Sequence, residues 1–250
     1  METVTKSINS KSLIEFPNEF TRSSLLSLAK QIDLSLALRE KRTLIQVVTE
    51  LGKKENFGPL LSCISNDEVL IDNVIKNSYR HDNGFHKIVL LSSHYFKLRL
   101  HLFQPIPEIP LPMENIHNHR WNFASKIISG SLKMELFRED DSGGVEVNNY
   151  TYLSKNGSDQ YAVEYNGKIN LERLSLIRYD SGCTYFMKSK ELHRIINPNN
   201  ESTCTLMITG SPLSEKCKLY SYNTFLNERQ TVSSYSEEEL RELFLIAVKG

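Results

Sequence analysis

The stretch Met113–Phe137, MENIHNHRWNFASKIISGSLKMELF, decides how the chain is read, because two histidines stand two residues apart before a β-forming run. On a strand, residues i and i+2 point to one face, so His117 and His119 project together into whatever that face covers. Two imidazoles so placed can ligate one divalent ion, with a third ligand arriving from elsewhere in the fold. The alternative is two polar residues on a half-buried β-surface, one solvated and one hydrogen-bonded. Trp121 falls on the same face if alternation holds, either walling a pocket or packing in a core.

Downstream, Gly130 sits in a strand–turn–strand pattern, SKIISGSLKMELF, where glycine permits a tight turn with positive φ. A second unit of this kind, YDSGCTYFMKSKELHRIINPN, contains a turn at Gly182, a β run with Tyr185, and a strand carrying His193. Tyr185 there is either a pocket hydroxyl or an ordinary core ring. From Asn115 to about Gly210, short β-rich runs are separated by EDDSGG, KNGSD, YNGK, YDSGC and NPNN, all turn chemistry. That density of short strands predicts a mainly β fold, a sandwich or barrel.

Two further strands are expected upstream, HKIVLLSS and YFKLRLHLF. The second alternates Phe96, Leu98, Leu100 and Leu102 against Lys97, Arg99 and His101. QPIPEIPLP, with its spaced prolines, reads as a connection laid over the surface. The first third is helical in pattern. TRSSLLSLAKQI and DLSLALREKRTLIQVVTELGKK predict two helices, the second capped by Asp33 and ending near Gly52, and SNDEVLIDNVIKNS predicts another capped by Ser65 or Asn66. SYSEEELRELFLIAVKG predicts a final helix capped by Ser236. The expected organisation is a helical segment over 1–75 packing on a barrel over 76–225, then a tail and helix over 226–250.

Lys+Arg and Asp+Glu both number 30, so no global charge draws the chain to nucleic acid or an anionic membrane. No apolar run approaches the roughly 20 residues that span a bilayer. The first residues, METVTKSINSKSLIEF, lack an apolar signal core, which predicts a cytoplasmic protein. Cys63, Cys183, Cys204 and Cys217 show no metal-knuckle spacing and are expected as reduced thiols.

The bipartite pattern His-x-His…Gly followed by Gly…His…Asn resembles the cupins, jelly-roll (double-stranded β-helix) barrels that hold one metal. The resemblance covers roughly residues 76 to 220. It maps His117, His119 and His193 onto the metal ligands, Gly130 and Gly182 onto the turn glycines, and Asn197 onto the closing asparagine. Where many cupins add a glutamate ligand, this chain has Phe123, Ala124 and Ser125. A three-histidine set without carboxylate is similar to the thiol dioxygenase branch, whose members include cysteine dioxygenases. HNHRWNFASKIISGSLKMELF, ELHRIINPNNESTCTLMITGSPLSEKC and SYRHDNGF look like segments of that branch, and the last implies Arg80 as a carboxylate-binding residue. The branch's cysteine–tyrosine cross-link has no counterpart, since the matching positions fall on Phe123 or Ala124 and on Thr209 or Gly210. Fold and metal are thereby implied; cysteine as substrate is not.

Neutral imidazoles suit Fe, Ni, Cu and Zn. The expected cofactor is Fe(II), with Zn, Ni or Mn as alternatives. A site without a charged protein ligand stays dicationic, which favours a small anionic substrate, with O2 as the partner in an oxygenase. The alternatives are a non-redox isomerase, lyase or hydrolase, and a non-catalytic binding barrel. Carboxylate recognition requires an arginine aimed inward, and Arg99 is either that clamp or a solvated surface charge. The substrate-binding candidates are therefore Arg80, Arg99, Trp121 and Tyr185. The helical segment leaves a homodimer open.

Overall fold

The computed structural model describes residues 14–81, 84–104, 115–141, 143–154, 161–197, 202–223 and 235–249. The predicted proline-rich connection at 105–114, the KNGSD and NPNN turns, and the first residues lie outside these.

The two helices expected over the first third form one element, α1 (Arg22–Leu51), broken by a single non-helical residue, Arg39 (φ −151°, ψ 58°). Its cap is Thr21, in a reciprocal capping box with Ser24. Asp33 does not cap a helix; its carboxylate accepts a hydrogen bond from Ser93 Oγ at 2.6 Å. α2 (Lys54–Asn66) follows directly, although it contains Pro59. An internal proline costs about 3 kcal/mol. Burial of Phe57, Leu60, Leu61 and Ile64, at roughly 1.5–3 kcal/mol each, outweighs it. α3 (Glu68–Asn77) is capped by Asp67, whose side chain accepts from the amides of Val69 and Leu70. The last helix, α4 (Glu237–Lys249), begins after Ser236, which exchanges hydrogen bonds with Glu239.

Twelve strands lie among the described residues: β1 (Tyr79–Arg80), β2 (Phe85–Ser92), β3 (Lys97–Phe103), β4 (Ile116–His117), β5 (Phe123–Ser129), β6 (Ser131–Glu139), β7 (Val145–Ser154), β8 (Tyr161–Asp180), β9 (Thr184–Met187), β10 (Leu192–Ile196), β11 (Thr203–Thr209) and β12 (Lys216–Ser221). They form an antiparallel sheet of order β1-β2-β3-β11-β5-β9 and a ring of order β10-β4-β12-β7-β8-β6. Apart from the β1–β2–β3 and β6–β7–β8 runs, consecutive strands alternate between the two. This is the winding of a jelly roll, so the fold is mainly β with helices at both ends.

The glycines stand where the chain changes sheet. Gly130 (φ 72°) carries it from β5 to β6, and Gly182 (φ 88°) from β8 to β9. Gly130 is thus a corner between sheets rather than a hairpin turn. A Cβ there would overlap the Ser202 carbonyl oxygen and the Thr203 side chain. Gly130→Ala should therefore destabilise by roughly 1–3 kcal/mol, read as a lowered melting temperature. YNGK also departs from expectation. It lies inside β8, where Asn166 and Gly167 (φ 92°) together oppose Asn149, a bulge of the kind that uses glycine's left-handed conformation.

The helices cover one face of the first sheet. Leu25, Leu28, Ile32, Leu44, Val47 and Leu51 of α1 share a core with Ile88, Leu90, Leu98, Leu100, Leu102, Leu206 and Ile208. The leucines of YFKLRLHLF therefore face the helices. Its polar partners, Arg99 and His101, face the inside of the jelly roll.

Candidate metal centre

His117 ends β4 and pairs with His193 on β10, while His119 follows in the loop that leads to β5. The three ring centres lie 4.8 Å (His117–His119), 4.6 Å (His117–His193) and 5.0 Å (His119–His193) apart. One ligand nitrogen from each lies within 4.8 Å of the others. Imidazoles radiating from one ion at a metal–nitrogen distance of about 2.1 Å have ring centres roughly 4.6–5.3 Å apart, for ligand angles between about 90° and the tetrahedral value. The trio fits a metal.

Two of the rings are oriented by carbonyls. His117 Nδ1 donates to the Asn115 carbonyl at 2.9 Å, and His193 Nδ1 to the Glu191 carbonyl at 3.2 Å. A carbonyl only accepts, so each Nδ1 carries the proton and each Nε2 keeps a lone pair for a metal. Burial, aided by the neighbouring His117, pushes the His193 pKa down to about 3. His119 is held well below the ordinary range by burial and then by His117, His193, Arg99 and Lys87. Both are uncharged at neutral pH, the form that binds metal.

His119 is also fixed through its backbone, by a chain of hydrogen bonds that starts in α1. Its amide donates to the Ser189 carbonyl (3.0 Å), and the Ser189 amide donates to Asn122 Oδ1 (2.8 Å). Asn122 Nδ2 donates to Glu40 Oε2 (2.7 Å), the residue just after the break at Arg39. Gly210 gives Glu40 room, since a Cβ there would strike its carboxylate. Glu40→Ala should loosen the loop and weaken metal binding about tenfold, measured by competition with a chromogenic chelator.

Phe123 packs edge-on to His119 (4.9 Å) and lies 6.0 Å from His193, while Ala124 faces the helices. An apolar ring thus stands where the resemblance places a glutamate or cysteine. Trp121 stacks on His119 (5.8 Å, 20°), and the guanidinium carbons of Arg99 and Arg120 lie 5.0 and 5.1 Å from its ring centre. Its Nε1 has no hydrogen-bond partner among the described residues. Arg99 is only 6% exposed, so it is no solvated surface charge. Tyr185 stacks on Tyr179 at 4.6 Å and meets Phe123 at 6.1 Å. Pairings place Val89, Arg99, Met207, Ser125 and Tyr185 in one row across the sheet. Arg80 is exposed. It pairs with His86, and its charge lowers the pKa of His86 after burial has done most of the work.

Lys87 and His81 also belong to this interior and are not legible from sequence, whereas His101 shares the strand face of Arg99. Lys87 pairs across the sheet with His101, donates to the Tyr79 hydroxyl at 2.5 Å, and lies 4.7 Å from the Tyr79 ring centre. His81, just after β1, stacks on Phe85 at 4.6 Å. Burial and then Lys87, His117 and Arg99 push its pKa down to about 3. Lys87 and His101 are half-buried, and burial, followed by Arg99, holds both their pKa values well below the ordinary ones. The signal that finds them is the direction of sheet alternation, once the leucine face is assigned to the helices.

On β10 and β6, Glu135 is buried and held by Arg173 and Arg194. Burial raises its pKa, but the two arginines outweigh it and keep the carboxyl below the usual range. The group is a structural ion cluster next to His193 in sequence and is not a ligand. All four cysteines are free thiols, and no described helix is long and apolar enough to cross a membrane.

A jelly roll with three convergent imidazoles defines the class: a barrel with a candidate mononuclear metal site. No protein-family model and no curated protein matches the chain. Similar solved structures include an RmlC-like cupin from Shewanella frigidimarina NCIMB 400 (12% identity, 53% of this chain and 81% of that one, TM-score 0.31). A double-stranded β-helix protein from Klebsiella pneumoniae has 12% identity over 59% of this chain and 94% of that one, with TM-score 0.32. The DMSP lyase DddQ from Ruegeria pomeroyi DSS-3 has 11% identity over 53% and 50%, with TM-score 0.32. These are distant likenesses and carry no activity across to this chain.

Proposed function

We propose that the chain is a mononuclear metal-dependent oxygenase of the thiol dioxygenase kind, acting with Fe(II) and O2 on a small anionic thiol or amino or hydroxy acid. The observation that carries this reading is Arg99, a buried cation on the wall beside the three convergent imidazoles. His117, His119 and His193 would hold the ion. When bound, Fe(II) supplies a centre at which O2 and an anionic chelating group react. Arg99, with its fork of donors, binds and orients the substrate carboxylate. Trp121 supports the guanidinium by cation–π contact, and Phe123 excludes water and a fourth protein ligand. The carbonyls of Asn115 and Glu191 hold the Nδ1 protons, so each ring presents Nε2.

Metal analysis of anaerobically purified protein tests this reading, followed by oxygen-electrode screening with thiols and amino acids. About one iron per chain and substrate-dependent oxygen uptake are expected. Stoichiometric zinc, manganese or nickel without oxygen uptake would replace it with non-redox lyase or hydrolase chemistry. Absence of any stoichiometric metal would leave a binding barrel.

A further inference from the structure

The inner face of the first sheet carries more basic side chains than recognition of one carboxylate requires. Lys87 and Arg99 lie on adjacent antiparallel strands, with Lys87 opposite His101 and Arg99 opposite Val89. They are therefore diagonal neighbours on one face, roughly 7–8 Å apart at the backbone, within reach of long side chains. Lys87 has three N–H donors, and among the described residues only the Tyr79 hydroxyl accepts one. No described carboxylate forms an ion pair with Lys87. Beside it, His101 Nε2 is buried without a hydrogen-bond partner among the described residues. A buried ammonium is costly unless an anion compensates it. Arg99 lies against Trp121, which stacks on His119, so this face adjoins the metal trio.

We propose that Lys87, with Tyr79 and His101, forms a second anion subsite beside Arg99, so that the molecule bound in the barrel is a small dianion. This rests on the reading that Arg99 takes an acidic group of the substrate. The shared chemistry is two negative charges within a few ångströms, as two carboxylates or as one phosphoryl group held by both cations. Tyr79 positions the ammonium, and His101 adds a further polar contact.

The chain's single tryptophan, Trp121, lies against Arg99 and reports binding by its emission. Metal-free protein is titrated at equal ionic strength with malonate, succinate, glutarate and methyl phosphate, and with propionate and butyrate as monoanion references. Calorimetry on the same solutions guards against a silent fluorophore. One charge-assisted contact corresponds to roughly ten- to a hundredfold in affinity. At least one dianion should therefore bind about tenfold or more tighter than the monoanions. The dicarboxylate and phosphate arms tell the two sources apart. Lys87→Met should erase the preference, and Lys87→Arg should retain it. The proposal is overturned if no dianion outbinds the monoanions in wild-type protein, or if the preference survives Lys87→Met. A dianion preference in protein that takes up neither metal nor oxygen would sink the oxygenase reading alone.

Discussion

Replacing His193 by alanine should strip the chain of its metal while leaving the fold in place. The ring is 2% exposed and meets both other histidines, and its Nδ1 is committed to the Glu191 carbonyl. Structural zinc sites with four ligands bind with about 10–16 kcal/mol, so one lost ligand is worth roughly 3 kcal/mol or more. That corresponds to a factor of about 10² to 10³ in affinity. Chelator competition on wild type and variant gives the number directly, and a thermal melt of the metal-free variant shows whether the barrel still unfolds cooperatively. Wild-type affinity in a folded variant would remove His193 from the site.

Acidification should destabilise the metal-free protein steeply below about pH 6.5. His81 and His193 both titrate near 3 when folded, against about 6.5 in the unfolded chain. Between those values the unfolded state binds more protons, so stability rises with pH. It is intact above about 6.5 and is lost progressively as pH falls toward about 3. From pH 6.5 to 5.5 the two groups together withdraw roughly 2 kcal/mol. His101 and His119 shift in the same direction, chiefly through burial. Melting temperature should drop by about 4–8 °C over that unit, given the size of the chain. A melting temperature that stays flat between pH 7.5 and 5.5 would mean these imidazoles are solvated. Bound metal sharpens the effect, because protons then also compete for its ligands.

The three histidines stand out in the sequence because their signal is local: two on one short segment, and one after a second glycine corner. Gly130 and Gly182 are equally legible, since positive φ leaves few other residues. Lys87 and His81 are not. Alternation reveals that a strand has two faces, but not which one is covered by helices and which lines a cavity. In YFKLRLHLF the alternation leaves Arg99 as either an inward clamp or a solvated charge, and only the packing of α1 on the leucines decides between them. Helix α2 escapes notice because Gly58-Pro59 looks like a break until the buried face around it is weighed. The break in α1 falls at Arg39 rather than Asp33 because the chain bends where Glu40 reaches Asn122, a long-range contact. YNGK carries a hairpin's chemistry inside a strand, since a bulge and a turn need the same glycine conformation.

The shared core of α1 and the first sheet bears on how this chain can be dissected. A cut between residues 75 and 76 would break the last turn of α3, and it would bare Ile88, Leu90, Leu98, Leu100, Leu102, Leu206 and Ile208 together. It would also sever the tether from Glu40 to the loop that carries His119. A fragment spanning 76–225 should be insoluble or sticky when expressed alone, and co-expression with the helical piece should rescue it. The helices and the barrel are then one inheritance, and neither can be exchanged, shed or duplicated without the other.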